Sequence, residues 1–448
     1  MTLFWRILYR LYRLISWARY WGARRFTRAG VGLLIAVVVA AMMGPNTENN
    51  VAYQAFTLLV SLLLVSVAFT WSFRARFVAV RLLPRFGTVG TPLAYRISVR
   101  NLTSRTQSGL TLLEDLADPR PSFAQWHRTR VAEERRIRSF RVGPRPKKTS
   151  FKPALLKNAP VPPLPPNRDI EMRAELMPLR RGVLRFEGVT FARPDPLGLF
   201  HAFSKMRLPQ STLVLPRRYP LPPISLPGAM RYQAGGVALA SNVGQSDEFI
   251  ALRDYRYGDP LRHIHWRSWA KTGKPVVREF EDEFFVRHAL VLDTFIDQPH
   301  SEAFEEAVSV AASFACSVRT QESLLDLLFV GPESYCFTAG RGLGRSDQML
   351  EILAGVQPCL EQRFSNLEHL VLNHVKSVSG CVCILLSWDH VRRNFVHSLQ
   401  SLGVPVMVLV VVEAAGKNKL EPGPVGAGCD QFLVLETGKV EQGLARLE

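Results

Sequence analysis

At 448 residues the chain is too long for a single core, and with 47% hydrophobic and 21% charged residues it is a folded chain rather than a disordered one. The formal charge of +18 invites a nucleic-acid reading, but almost all of it sits in three blocks: residues 1–28 with seven Arg and no acid, residues 74–85 with four Arg, and residues 124–152 with ten Lys or Arg against two Glu. Two of these blocks flank apolar segments, so the surplus points to a membrane before it points to nucleic acid.

Residues 1–28 form a basic interfacial helix in this reading. In "WRILYRLYRLISWARYW" (Trp5 to Trp21), Arg6, Arg10 and Arg13 recur at helical spacing while Leu8, Leu11 and Ile15 make another face. Two uncharged segments follow, residues 29–44 and 51–73, joined by "PNTENN". The second has the ~20 residues that a bilayer requires and the first is short. The pair predicts a two-helix transmembrane hairpin. Arg24, Arg25 and Arg28 precede it and Arg74, Arg76 and Arg81 follow, which places both ends in the cytoplasm. All six Cys lie in the C-terminal third with no CxxC spacing, as expected of small buried hydrophobes in a reducing compartment.

From residue 76 the period changes to two. Leu93, Tyr95, Ile97 and Val99 alternate with Arg96, Ser98 and Arg100. Similar strands are expected at residues 110–116, 170–177, 181–191 and 212–215. Residues 76–217 therefore read as an immunoglobulin-like β-sandwich. An insertion at 117–168, basic and then Pro-rich, lacks the apolar content to order itself and is predicted to be solvated or to grip anionic lipid. Residues 218–247 read as a linker.

The segment 248–283 holds "GDPLRHIHWRSWAKTGKPVVREF" (Gly258 to Phe280). A turn at Tyr257–Gly258, Asp259 as N-cap, Pro260 at the first helical position and Gly273 as a stop predict a helix over 260–272. On it Arg262, Trp266 and Trp269 share a side, and Arg and Trp are the residue types most enriched at binding hot spots. Three roles compete for the stretch: a structural joint, a docking surface, and catalysis with His263 or His265 as general base. The last lacks a recognisable nucleophile beside it.

Beyond residue 286, apolar runs ("HALVLD", "LLDLLFV", "CVCILLSWD", "VPVMVLVVV") alternate with helical stretches, the signature of an open, mostly parallel α/β sheet. Asp293, Asp297 and Asp389 fall at strand ends, where such folds collect ligands. They are the candidate oxygen ligands for Mg²⁺.

The stretch Glu248 to Glu283, with "RRGVLRFEGVTFARPDPLGLF" (Arg180 to Phe200) and the paired apolar segments, resembles the domain-of-unknown-function family 58 of bacterial and archaeal membranes. The resemblance implies a β-rich region joined to a von Willebrand factor type A-like domain at 286–448. It also implies company with MoxR-type AAA+ ATPases and transglutaminase-like membrane proteins, and membership by itself implies no enzymatic activity. A metal-dependent adhesion site would begin Asp-x-Ser-x-Ser. Here "DTFID" puts Phe295 and Asp297 where the serines would be. The expectation is a non-enzymatic membrane scaffold, without catalytic residues, cofactor or nucleic acid, docking a partner through Arg253, Tyr255, Gly258, Asp259, Arg262 and Trp266. A metal-dependent hydrolase built on Asp293, Asp297 and Asp389 is the alternative.

Overall fold

The computed structural model describes residues 2–43, 50–73, 75–138, 152–222, 231–232, 249–259, 261–280, 284–296, 301–317, 323–340, 345–413 and 431–447. The chain is a mixed α/β protein with several sheets, and it divides into two compact units at Leu215–Pro216.

The first unit opens with three helices, α1 (Thr2–Arg25), α2 (Arg28–Met43) and α3 (Asn50–Ser72). Among the described residues Val51–Trp71 is the helix long and apolar enough to cross a membrane. Arg28–Met43, the expected first span, is apolar but only 16 residues long. The strands follow as β1 (Phe77–Leu82), β2 (Phe86–Thr88), β3 (Leu93–Asn101) and β4 (Thr111–Leu116). After helix α4 (Phe123–Arg138) come β5 (Ala154–Leu156), β6 (Ala159–Pro160), β7 (Asp169–Pro178), β8 (Gly182–Pro194) and β9 (His201–Leu215). They make one sheet in the order β1-β3-β7-β5 and another in the order β2-β9-β8-β4-β6.

The period-two pattern of β3 is realised: Leu93, Tyr95, Ile97 and Val99 all point inward. They meet Leu112, Leu184, Phe186, Val189 and Phe191 of the other sheet in one core. Each such side chain contributes about 1.5–3 kcal/mol on burial. The register of β8 shifts between Phe186 and Gly188, and at Gly188 a Cβ would lie 2.2 Å from the Met206 carbonyl oxygen, so the strand bends where only glycine fits.

Two expectations fail in this unit. The insertion at 117–168 is not free of structure: α4 forms in it, and β5 and β6 join the sheet edges. The reason is a handful of apolar residues that composition alone undervalues, since Trp126, Ala154, Val161 and Leu164 are all buried. Arg81 is not a flanking surface charge either. It is 1% exposed and its guanidinium bonds Glu114 Oε2 at 2.5 Å and the Gly188 carbonyl at 3.1 Å. Tyr95 donates to Glu114 Oε1 at 2.9 Å. Burial, reinforced by the Glu114 charge, pushes the Tyr95 hydroxyl far above the usual phenol range.

The second unit contains β10 (Arg231–Tyr232), β11 (Phe249–Asp254), α5 (Trp266–Thr272), β12 (Val276–Phe280), β13 (Phe284–Leu292), α6 (Glu302–Ser317), β14 (Ser323–Val330) and β15 (Ser334–Ala339). It continues with α7 (Ser346–Gly355), α8 (Ser365–His374), β16 (Gly380–Leu385), α9 (His390–Ser401), β17 (Val406–Val412), β18 (Gln431–Glu436) and α10 (Val440–Leu444). The main sheet runs β15-β14-β13-β16-β17-β18, parallel along this path except for the edge strand β15, and the short β10 pairs antiparallel with the start of β13. β13, β16 and β17 are buried on both faces, because α8 and α9 cover one side and α6 the other. Cys381 and Cys383 share a face as expected, with their sulfurs 3.5 Å apart in the core. Cys316 and Cys336 are exposed, against expectation, and Cys429 lies outside the described residues.

The start of the expected linker is also structured. The Tyr219 amide donates to Ser313 Oγ at 2.7 Å and its hydroxyl bonds Glu306, which seats it on α6.

Candidate functional site

The Gly258–Phe280 stretch is the connection and second strand of a hairpin, and the helix expected over 260–272 is not continuous. β11 and β12 pair antiparallel, and a 3-10 turn (Leu261–His263) and α5 fill the connection. Ile264 interrupts the expected 260–272 helix: it bridges to Val277 and is buried, and the His265 amide donates to the Val276 carbonyl at 2.8 Å. Burying this one apolar side chain against β12 competes with helix continuation and wins. The helix resumes at Trp266 and ends as expected at Gly273, whose φ of 72° is the left-handed cap conformation.

Asp259 does not cap a helix. Its two oxygens accept from both terminal nitrogens of Arg253, at 2.7 and 2.8 Å, and Oδ2 also accepts from the Arg256 amide at 2.8 Å. The Arg253 fork and then the Arg256 amide pull the Asp259 carboxyl down to about 2. Gly258 supplies the turn between them at φ 105°. Arg253, Gly258 and Asp259 are thus brought into one clamp. Tyr255 is tied alongside through its amide to the Pro275 carbonyl at 3.0 Å.

Four large apolar or aromatic side chains near the clamp in sequence are exposed. Leu252 is 42% exposed, Leu261 68%, Trp266 63%, and Tyr257 is fully exposed. Trp266 stacks on Trp269, with centroids 5.2 Å apart. The Arg262 side chain lies outside the described residues, so the expected Arg262–Trp pairing does too. Tyr257, Leu261 and Leu252 escaped the sequence reading because single apolar residues in a basic segment look like core. His265 Nδ1 meets Ser268 Oγ at 2.7 Å across the first turn of α5, where the contact closes a helix start.

The strand-end carboxylates sit elsewhere in this unit. The order of the main sheet reverses between β13 and β16, and in open sheets a crevice opens beyond the carboxyl ends at such a point. Asp293 follows β13 there, fully buried, and accepts from the amides of Phe295 at 3.0 Å and Leu386 at 3.1 Å. Asp389 N-caps α9 through the Arg392 amide at 3.0 Å.

Arg392 joins the two. Its Nε donates to Asp293 Oδ2 at 2.6 Å, Nη1 to Asp389 Oδ2 at 2.5 Å and Nη2 to the Phe295 carbonyl at 3.3 Å. The guanidinium also lies 4.8 Å from the Phe364 ring centroid. Burial works to raise the Asp389 carboxyl, but the Arg392 amide and charge outweigh it and hold it below the usual range. Asp297 lies outside the described residues. Among those described, no group of three His, Cys, Asp or Glu is placed to hold a metal. The carboxylates suit a divalent cation by type, but a fixed organic cation occupies the position between them. Sequence reasoning missed Arg392 because an Arg in the first turn of an amphipathic helix looks like a surface charge.

A family model matches most of the hairpin and much of the second unit. The model of the family described as "Protein of unknown function DUF58" matches residues 251–425. The uncharacterized protein YeaD of Bacillus subtilis (strain 168) is 30% identical over 191 residues, 42% of this chain and 46% of that relative, so the match spans about half of the relative's length. Among solved structures, the CARDB domain of PF1109 from Pyrococcus furiosus is 12% identical over 31% of this chain and 94% of that one, with a TM-score of 0.17. A β-glucosidase from Listeria innocua is 14% identical over 31% of this chain and 16% of that one, also at 0.17. Likenesses of this size assign neither fold nor function. Over residues 251–425 the chain is similar to the DUF58 family.

Proposed function

We propose that this protein is a membrane-anchored, non-enzymatic adaptor that docks a partner through the β11–β12 hairpin. The observation that carries the reading is the exposed set Leu252, Tyr257, Leu261 and Trp266, held on a connection that the Arg253–Asp259 fork clamps. Apolar and aromatic side chains on a pre-organised turn are what a binding hot spot requires, because little entropy is lost when the partner arrives. The partner that the family resemblance supports is a MoxR-type AAA+ ATPase, with ATP hydrolysis occurring on that partner.

In this account α2 and α3 pair as a hairpin in the bacterial inner membrane and both units lie in the cytoplasm. The two sheets of the first unit form an immunoglobulin-like spacer. The open sheet of the second forms a von Willebrand factor type A-like domain, a reading supported by its parallel order and antiparallel edge strand. The Arg392 bridge favours a role independent of metal over a hydrolase at Asp293 and Asp389, since any ion would have to displace a doubly paired guanidinium. Co-purification tests the reading: wild type from native membranes should carry the ATPase, and a Tyr257→Ala, Leu261→Ala, Trp266→Ala variant should not. An equal yield of ATPase from both would refute the hairpin as the docking site.

A further inference from the structure

Helix α1 has three distinct faces. Trp5, Tyr9 and Tyr12 turn toward the first unit, where they close around the buried ring of Trp126 on α4, with centroids 5.5–6.0 Å apart. The Tyr9 hydroxyl donates to the Pro121 carbonyl at 2.8 Å. At the other end Arg24 bonds Asp115 at 2.5 Å. A second face carries Arg6, Arg10 and Arg13, all exposed. The third carries Phe4, Ile7, Leu11 and Leu14, spaced three, four and three residues apart and 51–65% exposed. Helix α1 contains no acidic residue.

The position of α1 is set by the turn Asp195–Phe200. Phe26, which follows α1, meets Phe200 at 4.7 Å between centroids. Thr27 Oγ1 donates to the Leu199 carbonyl at 3.1 Å, and Gly30 of α2 packs so closely that a Cβ would lie 2.1 Å from that same oxygen. Asp195 Oδ2 accepts from Ser66 Oγ of α3 at 2.6 Å, while Oδ1 takes the amides of Leu199 and Phe200 at 2.7 and 2.8 Å. One turn of the sheet thus holds α1 and both apolar helices together, with α1 leaving from the end where α2 begins.

We propose that α1 lies on the bilayer surface, with Phe4, Ile7, Leu11 and Leu14 among the acyl chains and Arg6, Arg10 and Arg13 on anionic phospholipid headgroups. This rests on the membrane anchoring proposed above. A bilayer fits the face better than a second copy of this helix, because pairing two copies would bring like charges together with no acid to offset them. The bound helix adds a second, electrostatic hold to the hydrophobic one of α3 and fixes the β unit's height above the membrane.

The test uses the full chain reconstituted into phosphatidylcholine vesicles with and without about 30% phosphatidylglycerol, the anionic lipid supplying the attraction. Trypsin cleavage after Arg6, Arg10 and Arg13 is followed by mass spectrometry and normalised to cleavage after Arg256. Cleavage should be about tenfold slower on the anionic vesicles and recover at high salt, which screens the headgroups. A Leu11→Asp, Leu14→Asp variant, altered only at exposed positions, should be cut at the same rate on both. Equal rates for wild type on the two compositions would overturn the proposal and leave a protein partner or a second copy as the occupant. Carbonate resistance separates the two claims: retention in carbonate with equal cleavage rates removes only the α1 proposal, whereas carbonate extraction removes the anchor and the proposal with it.

Discussion

Arg392 and Asp293 face each other at the switch point of the main sheet, Nε to Oδ2 at 2.6 Å, with the carboxylate fully buried and the guanidinium 9% exposed. Two backbone amides and one guanidinium therefore engage both oxygens of this carboxylate. Arg392→Ala should cost about 3–5 kcal/mol, because it strands a buried charge. Arg392→Lys should recover little, since one ammonium cannot reproduce a fork that bonds Nε to one carboxylate and Nη1 to another. Denaturant unfolding of the variants checks both. Added Mg²⁺ should leave the wild-type melting temperature unchanged.

The Asp195 turn predicts a second stability effect. Asp195→Ala removes the acceptor for Ser66 and for the amides of Leu197, Leu199 and Phe200. The loss should be about 1–3 kcal/mol in detergent solution, the cost of unsatisfied buried donors. Ser66→Ala should cost less, because the backbone amides keep their partner. Thermal melts of the two variants establish the order.

The strands and the parallel sheet were legible in the sequence because burial imposes a period there. Leu93 to Val99 alternate, and Val406 to Val411 run unbroken because both faces of β17 are covered. What sequence could not show was where long polar side chains turn. Arg81 and Arg392 have the composition of surface charges, and only the fold brings Glu114 and Asp293 to them. The helix expected over 260–272 fails for a related reason: Pro260 and Gly273 mark its ends in the sequence, but the pairing of Ile264 with Val277 depends on a strand that propensity cannot see. Of the proposed docking residues, Trp266 and the Arg253–Asp259 pair stand out in the sequence, whereas Tyr257 and Leu261 do not.

Within the first unit, Arg81→Met should cost about 3–5 kcal/mol by leaving Glu114 buried and unpaired. The double variant Arg81→Met, Glu114→Leu should be more stable than that single variant, because no charge is left behind. A double-mutant cycle by chemical denaturation measures the coupling.

The hairpin clamp has a pH signature. Asp259 titrates at about 2 when folded, below its ordinary 3.8. A depressed carboxyl stabilises above its unfolded value and loses that contribution as pH falls through the folded one. Pepsin cleavage near Tyr257 and Leu261, measured relative to an Asp259→Asn variant at each pH, should therefore be slower in wild type at about pH 4 and converge with the variant below about pH 2.

The central claim is that the exposed hairpin face docks a partner. The most direct measurement is crosslinked purification from native membranes of wild type beside the Tyr257→Ala, Leu261→Ala, Trp266→Ala variant, with both melting temperatures recorded. The account predicts a MoxR-type ATPase with wild type, its loss from the variant, and equal melting temperatures, since all three side chains are exposed. The same ATPase recovered equally with both proteins, or with neither, would contradict it.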